Sequence, residues 1–211
     1  MARGRFITFE GGEGCGKSTQ ILRLRDALVS AGKRVTLTRE PGGTRLAEKI
    51  RSLLKDEFED PPCDRAELLL FLAARAQLVR NVIEPALADG EWVLSDRFSD
   101  STFAYQGYGR GLPLDFLASA NGFACAGLVP DRTFLLEVPP EVARARMHSR
   151  EAATGTNADR MELAGDDFHA RLAEGFRRLA AEDPGRIVRI DASGSPEEVG
   201  ELVWNSLKPF V

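Results

Sequence analysis

Residues 11–18 read Gly-Gly-Glu-Gly-Cys-Gly-Lys-Ser, the spacing G-x-x-x-x-G-K-[ST] of a loop that wraps its backbone around phosphate. This stretch constrains what lies on either side of it. Residues 5–10, Arg-Phe-Ile-Thr-Phe-Glu, are short and rich in β-branched and aromatic side chains, and read as a buried strand. Downstream, Ile21, Leu22, Leu24, Leu28 and Val29 recur at helical spacing over residues 18–31, with Gly32 as a stop. A strand, a glycine loop and a helix in that order make a phosphate cradle. Glycines let the backbone approach the oxygens and turn its N–H groups inward, and the helix presents its positive end to the anion. Gly11, Gly12, Glu13, Gly14, Cys15, Gly16, Lys17, Ser18 and Thr19 therefore form the expected nucleotide-phosphate-binding loop. Within it Lys17 reaches the β- and γ-phosphates, and the Ser18 hydroxyl is placed to ligate Mg²⁺.

Strand and helix patterns alternate along the rest of the chain. Strands are predicted over residues 34–38, 92–96, 133–138 and 186–190. Helices are predicted over 44–55, 64–88, 163–181 and 196–207, with another opening at Pro139-Pro140 and two more around a glycine-rich turn at 107–111. Residues 151–157 are polar and contain glycine, and read as a flexible segment. The alternation implies right-handed crossovers and a parallel sheet covered on both faces. The expected fold is α/β: a P-loop NTPase-type three-layer α/β/α sandwich with a central parallel five-stranded sheet and a flexible lid. With 211 residues, one domain spanning 1–211 is expected, its lid at about 144–160.

The net charge of -4 opposes non-specific nucleic-acid binding, so local Arg and Lys clusters must hold any anionic ligand. Cys15, Cys63 and Cys125 are scattered and suggest neither a disulfide framework nor a zinc site, which makes a reducing cytoplasm the expected location. The few residues before the first strand leave no room for a signal peptide, and no apolar run is long enough to span a bilayer. His148 and His169 are not spaced for a metal. Asp96 ends a buried strand, where open α/β sheets bind ligands, and beside a phosphate loop it is a second candidate for Mg²⁺.

A phosphate loop alone does not choose among GTPase, ATPase, nucleoside kinase and nucleotide kinase, although no N-K-x-D guanine-reading motif occurs. Four further stretches narrow the choice. Residues 9–19 (Phe-Glu-Gly-Gly-Glu-Gly-Cys-Gly-Lys-Ser-Thr), 38–44 (Thr-Arg-Glu-Pro-Gly-Gly-Thr), 70–75 (Leu-Phe-Leu-Ala-Ala-Arg) and 95–98 (Ser-Asp-Arg-Phe) followed by 104–107 (Ala-Tyr-Gln-Gly) resemble the thymidylate kinase family of the bacterial type, in its order. The resemblance extends through Asp159-Arg160-Met161-Glu162.

It implies transfer of the ATP γ-phosphoryl group to dTMP, giving dTDP and ADP, in dTTP biosynthesis. The alternative is another pyrimidine nucleoside monophosphate kinase or a deoxynucleoside kinase. The implied acceptor is a phosphate oxygen, already ionised at neutral pH, so positioning and charge neutralisation suffice without a general base. Arg97 and Arg39 are the expected clamps on that phosphate, because the guanidinium fork binds phosphate oxygens bidentately; Arg51 is a further candidate. By resemblance Phe71 stacks on thymine, Arg75 hydrogen-bonds its carbonyl edge, Thr102 contacts the pyrimidine edge, Tyr105 crowds the sugar 2′ position, and Gln106 joins the pocket. Glu13 must point away from triphosphate, towards the sugar 3′-hydroxyl. Members without a basic residue there supply a lid arginine, which makes Arg150 or Arg146 the expected catalytic residue among Arg144, Arg146, Arg150 and Arg160. A homodimer, with part of the apolar helix around residues 68–79 as its face, is also implied.

Overall fold

The computed structural model describes residues 3–56, 59–155 and 165–211. Its strands are β1 (Phe6–Glu10), β2 (Val35–Arg39), β3 (Trp92–Asp96), β4 (Arg132–Glu137) and β5 (Ile187–Asp191). Among the described residues they form one sheet in the order β2-β3-β1-β4-β5, with every neighbouring pair parallel. This is the expected three-layer arrangement. β1 is buried along its whole length, as a central strand of a doubly covered sheet must be. The phosphate loop leaves its C-terminal end.

The helices are α1 (Lys17–Ser30), α2 (Arg45–Lys55), α3 (Asp64–Leu78), α4 (Glu84–Ala88), α5 (Ser99–Thr102), α6 (Leu114–Ala124), α7 (Pro140–Thr154), α8 (Asp166–Glu182) and α9 (Pro196–Leu207). Strand alternation sorts the core onto two faces. Ile7 and Phe9 pack with Leu24 and Leu28 of α1 and Val199 and Val203 of α9. Phe6, on the other face, packs with Leu78, Ile83 and Phe98. Phe168, Leu172 and Phe176 of α8 cover Leu135 and Ile187 on β4 and β5.

Three boundaries differ from the sequence reading. The helix expected over 64–88 is interrupted by π-helical turns at Val79–Ile83. The run after β3 continues from α5 as a π-helix, Phe103–Gly109, before α6 begins. π-Turns break the 3.6-residue period only locally, so periodicity does not reveal them, and they are frequent at functional sites. The segment expected to be flexible from residue 151 is helical through Thr154. It stops at Gly155, which takes the left-handed conformation at φ 65° and closes the helix. Residues 156–164, with Arg160 and the Asp159–Glu162 stretch, lie outside the described residues.

Candidate active site

The phosphate loop depends on glycine at two close approaches. A Cβ on Gly11 would lie 2.4 Å from the Leu136 carbonyl oxygen, and one on Gly14 would lie 2.5 Å from that of Ala143. Both glycines also have positive φ, 130° and 71°, which side chains rarely tolerate. The loop therefore seats against β4 and α7. Lys17 opens α1, and its ammonium donates to the carbonyls of Gly12 at 2.8 Å and Gly11 at 3.2 Å.

A cavity of about 620 Å³ opens beside the loop, lined by residues of the loop, α2, α3, α5 with its π-helical extension, and α7. The structure brings most of the predicted residues to it: Glu13, Gly14, Gly16, Lys17, Ser18, Thr19, Arg39, Phe71, Arg75, Asp96, Arg97, Thr102, Tyr105, Gln106, Arg146 and Arg150. Gly11, Gly12 and Cys15 are not among its lining residues. Gly11 and Gly12 instead offer their carbonyls to Lys17, and Cys15 is buried in the core beneath the loop. Arg51 does line the cavity, and it donates to the Pro41 carbonyl at 2.8 Å.

Arg97 is the electrostatic centre. It sits at φ 73°, a left-handed conformation unusual for a residue with a side chain. Surrounding hydrogen bonds over-determine it. Its N–H donates to the Phe9 carbonyl at 2.9 Å, its carbonyl accepts from Ser95 Oγ at 2.7 Å, and the next N–H, of Phe98, donates to Glu10 at 2.8 Å. The guanidinium donates to the Gly11 carbonyl at 3.0 Å and to Ser101 Oγ at 3.3 Å, ion-pairs with Glu13, and lies 5.0 Å from the Tyr105 ring centroid. Burial works against the Arg97 charge, but Tyr105, Glu13 and Asp96 outweigh it and raise its pKa. Burial likewise pushes Glu13 up, but the charges of Arg97 and Lys17 hold it down at about 2. Burial lifts the Tyr105 phenol to about 12. The loop carboxylate and the arginine are thus a charged pair at neutral pH.

Ser18 Oγ donates to Asp96 Oδ2 at 3.0 Å. A hydroxyl and a carboxylate side by side at the mouth of the loop are oxygen donors suited to a hard cation that takes most of its ligands from water and nucleotide phosphates. Arg39 sits at the cavity edge with its guanidinium on Glu48, at 2.9 and 3.0 Å, and is half exposed. Of the lid arginines, Arg146 donates to the carbonyls of Ala192 at 3.0 Å and Gly194 at 3.4 Å, tying α7 to the loop after β5. Arg150 lines the cavity and is close enough for its charge to help lower the Glu13 pKa. Arg144 is exposed and does not line the cavity.

Arg75 lines the cavity from α3. It is 1% exposed, and the protein engages all five of its N–H donors. Nε donates to Glu40 at 2.8 Å, Nη1 to Thr102 Oγ1 at 2.8 Å and to Asn121, and Nη2 to Glu40 and to the Phe98 carbonyl at 3.0 Å. Burial opposes the Arg75 charge, but the Glu40 carboxylate more than offsets it and keeps the guanidinium charged. A direct bond from Arg75 to a pyrimidine carbonyl would therefore have to displace one of these partners. Removing one member of a buried pair strands the other, at a cost of about 3–5 kcal/mol. Arg75→Met should accordingly lose stability of that order in urea unfolding, and Arg75→Met with Glu40→Leu should recover most of it. A loss below about 1 kcal/mol would show that the pair is not holding the pocket wall.

Sequence reasoning missed four acidic or polar residues: Glu10, Glu40, Glu67 and Asn121. All four are buried. Glu10 holds the Phe98 and Ser101 N–H groups and Ser101 Oγ, and burial, followed by the nearby Asp100 charge, raises its pKa to about 7. Its signal was its place at the end of a buried strand, the same as that of Asp96. Glu67 could have been found because it lies four residues before Phe71 and eight before Arg75, on one face of α3. Glu40 and Asn121 become partners of Arg75 only through long-range packing.

A sequence model described as thymidylate kinase matches residues 9–203. The thymidylate kinase of Solidesulfovibrio magneticus is 50% identical over 201 residues, covering 94% of this chain and 96% of that protein. The thymidylate kinase of Trichlorobacter lovleyi is 48% identical over 203 residues, covering 96% of each. A crystal structure of thymidylate kinase from Ehrlichia chaffeensis is similar at a TM-score of 0.78 and 33% identity, covering 97% of this chain and 99% of that one.

Proposed function

The chain belongs to the thymidylate kinase family, and we propose that it transfers the γ-phosphoryl group of ATP to dTMP, giving dTDP and ADP, as a step towards dTTP. The observation that carries this reading is the Glu13–Arg97 pair, which joins the phosphate loop to the residue after Asp96 inside one cavity. A loop that only bound ATP would gain nothing from a carboxylate, which repels triphosphate. Paired with Arg97, the carboxylate serves the acceptor side.

The acceptor oxygen arrives ionised, so no residue has to remove a proton. Arg97 offers its fork to the acceptor phosphate, and Glu13 fixes that fork in place and faces the sugar 3′-hydroxyl. Lys17 draws the β- and γ-phosphates into line. Ser18 and Asp96 would hold Mg²⁺, which when bound neutralises charge on the transferring group. Phe71 and Tyr105 give the base and sugar apolar walls, and Thr102 and Gln106 contact the base edge. Arg39 at the rim closes on the acceptor phosphate, and Arg150 of α7 reaches the transferring group. Exclusion of water from the closed site limits hydrolysis.

No helix among the described residues is long and apolar enough to cross a membrane. We assign the enzyme to the cytoplasm, without nucleic-acid or membrane partners, and as a homodimer. The exposed apolar side chains Leu69 of α3 and Phe116 and Phe123 of α6, the last 89% exposed, support the dimer. Leu68, Leu72 and Leu78 of the helix expected to form its face are buried within the subunit.

A coupled ADP-release assay across dTMP, dUMP, UMP, CMP and thymidine tests the substrate. Preference for dTMP is expected, and preference for CMP or thymidine would contradict the reading. Arg97→Lys keeps the charge but loses the fork, and should lower kcat/KM for dTMP by about 100-fold. A change of less than about threefold would remove Arg97 from the acceptor site.

A further inference from the structure

Thr102 and Gln106 are two of the neutral side chains that reach the cavity from the run that follows β3. Each is tied from behind by a buried charge on the same face of α3. Arg75 Nη1 donates to Thr102 Oγ1 at 2.8 Å. An arginine can only donate, so the threonine hydroxyl is left to donate its own proton elsewhere. Gln106 Nε2 donates to Glu67 Oε1 at 2.9 Å, and Glu67, fully buried, is paired with Arg110 at 3.2 Å. A carboxylate so paired only accepts, so the amide must turn its NH₂ towards Glu67 and keep its carbonyl oxygen for a ligand.

We propose that Glu67 is a specificity-positioning residue that fixes the Gln106 amide with its carbonyl towards the base, so that the pocket selects a pyrimidine with a protonated N3 over one with an unprotonated N3. The proposal rests on the dTMP reading of the cavity. A hydroxyl donor from Thr102 and a carbonyl acceptor from Gln106 complement the imide edge of thymine, which presents a carbonyl and an N–H. Cytosine presents a ring nitrogen acceptor and an amine donor, the reverse pattern. A flipped Gln106 amide would instead turn its NH₂ towards a base, which suits cytosine, and the Glu67 carboxylate forbids that flip. Polar groups left mismatched in a buried site discriminate strongly, because each loses its bond to water without gaining another.

The test is titration calorimetry of dTMP and dCMP on wild-type protein, Glu67→Gln, Gln106→Leu and the double variant. A glutamine at position 67 can donate or accept, which frees Gln106 to flip. Glu67→Gln should lower the ratio Kd(dCMP)/Kd(dTMP) by about tenfold, and should change it no further when position 106 is leucine. An unmoved ratio in Glu67→Gln, or an equal drop in the Gln106→Leu background, overturns the proposal. Should Glu67→Gln not fold, Glu67→Asp decides by the same ratio, since it keeps a charge towards Arg110 but withdraws it from the amide. Wild-type protein that binds but does not phosphorylate dTMP would overturn the reading of function, and this inference with it. Wild-type turnover of dTMP with an unmoved ratio overturns this inference alone.

Discussion

Lys17→Met is expected to lower kcat by at least ~10³-fold while leaving the fold in place. Lys17 is 6% exposed at the first turn of α1, where the phosphate loop meets the helix. Burial and the neighbouring Arg97 charge disfavour its ammonium, but Cys15, Glu13 and Asp96 together raise its pKa, so it stays a cation across the physiological range. Methionine has a similar length, fills irregular space and carries no charge. On the proposed mechanism it removes the charge that faces the β- and γ-phosphates, where negative charge must be stabilised as the phosphoryl group moves. Circular dichroism and the melting temperature should change little, and single-turnover kinetics should show the loss in the chemical step. Undiminished turnover would refute the role.

Arg150→Ala should lower kcat by about 10³-fold and raise the KM for dTMP far less. The loop carries Glu13 where a cation would otherwise sit, and Arg97 spends its charge on Glu13 and the acceptor side. On the proposed mechanism Lys17 is the loop's cation on the γ-phosphate, and Arg150 adds a second cation to the transferring group. Arg146 and Arg150 of α7 both line the cavity; Arg146 donates to the Ala192 and Gly194 carbonyls, and the charge of Arg150 acts on Glu13. A residue that acts only in the transition state affects kcat and kcat/KM equally. If kcat is unchanged, the role moves to Arg146 or to Arg160, which lies outside the described residues.

The layers of the fold could be read from the chain because β1, β3 and β4 are short stretches rich in apolar residues and the helices between them are periodic. The phosphate loop could be read because its glycines and Lys17 are adjacent in sequence. Phe71 and Arg75 could be paired because four residues make one helical turn. The rest could not be read for physical reasons. The partners of Arg75 come from the loop after β2, from α5 and from α6, up to 46 residues away, and no local pattern announces a contact of that range. The left-handed turn at Arg97 needs the carboxylate of Glu10, 88 residues before Phe98. The π-helix that carries Tyr105 and Gln106 breaks the 3.6-residue period only locally, so periodicity does not announce it. Arg75 lines the cavity as its helical spacing from Phe71 implies, and its partners there come from long-range packing.

The most direct test of the account is phosphorus NMR of the wild-type protein with ATP, Mg²⁺ and dTMP. The expected result is ADP and dTDP appearing in equal amounts, with little inorganic phosphate. Inorganic phosphate released in step with ADP, or dTMP left unconverted while ATP is consumed, would contradict it.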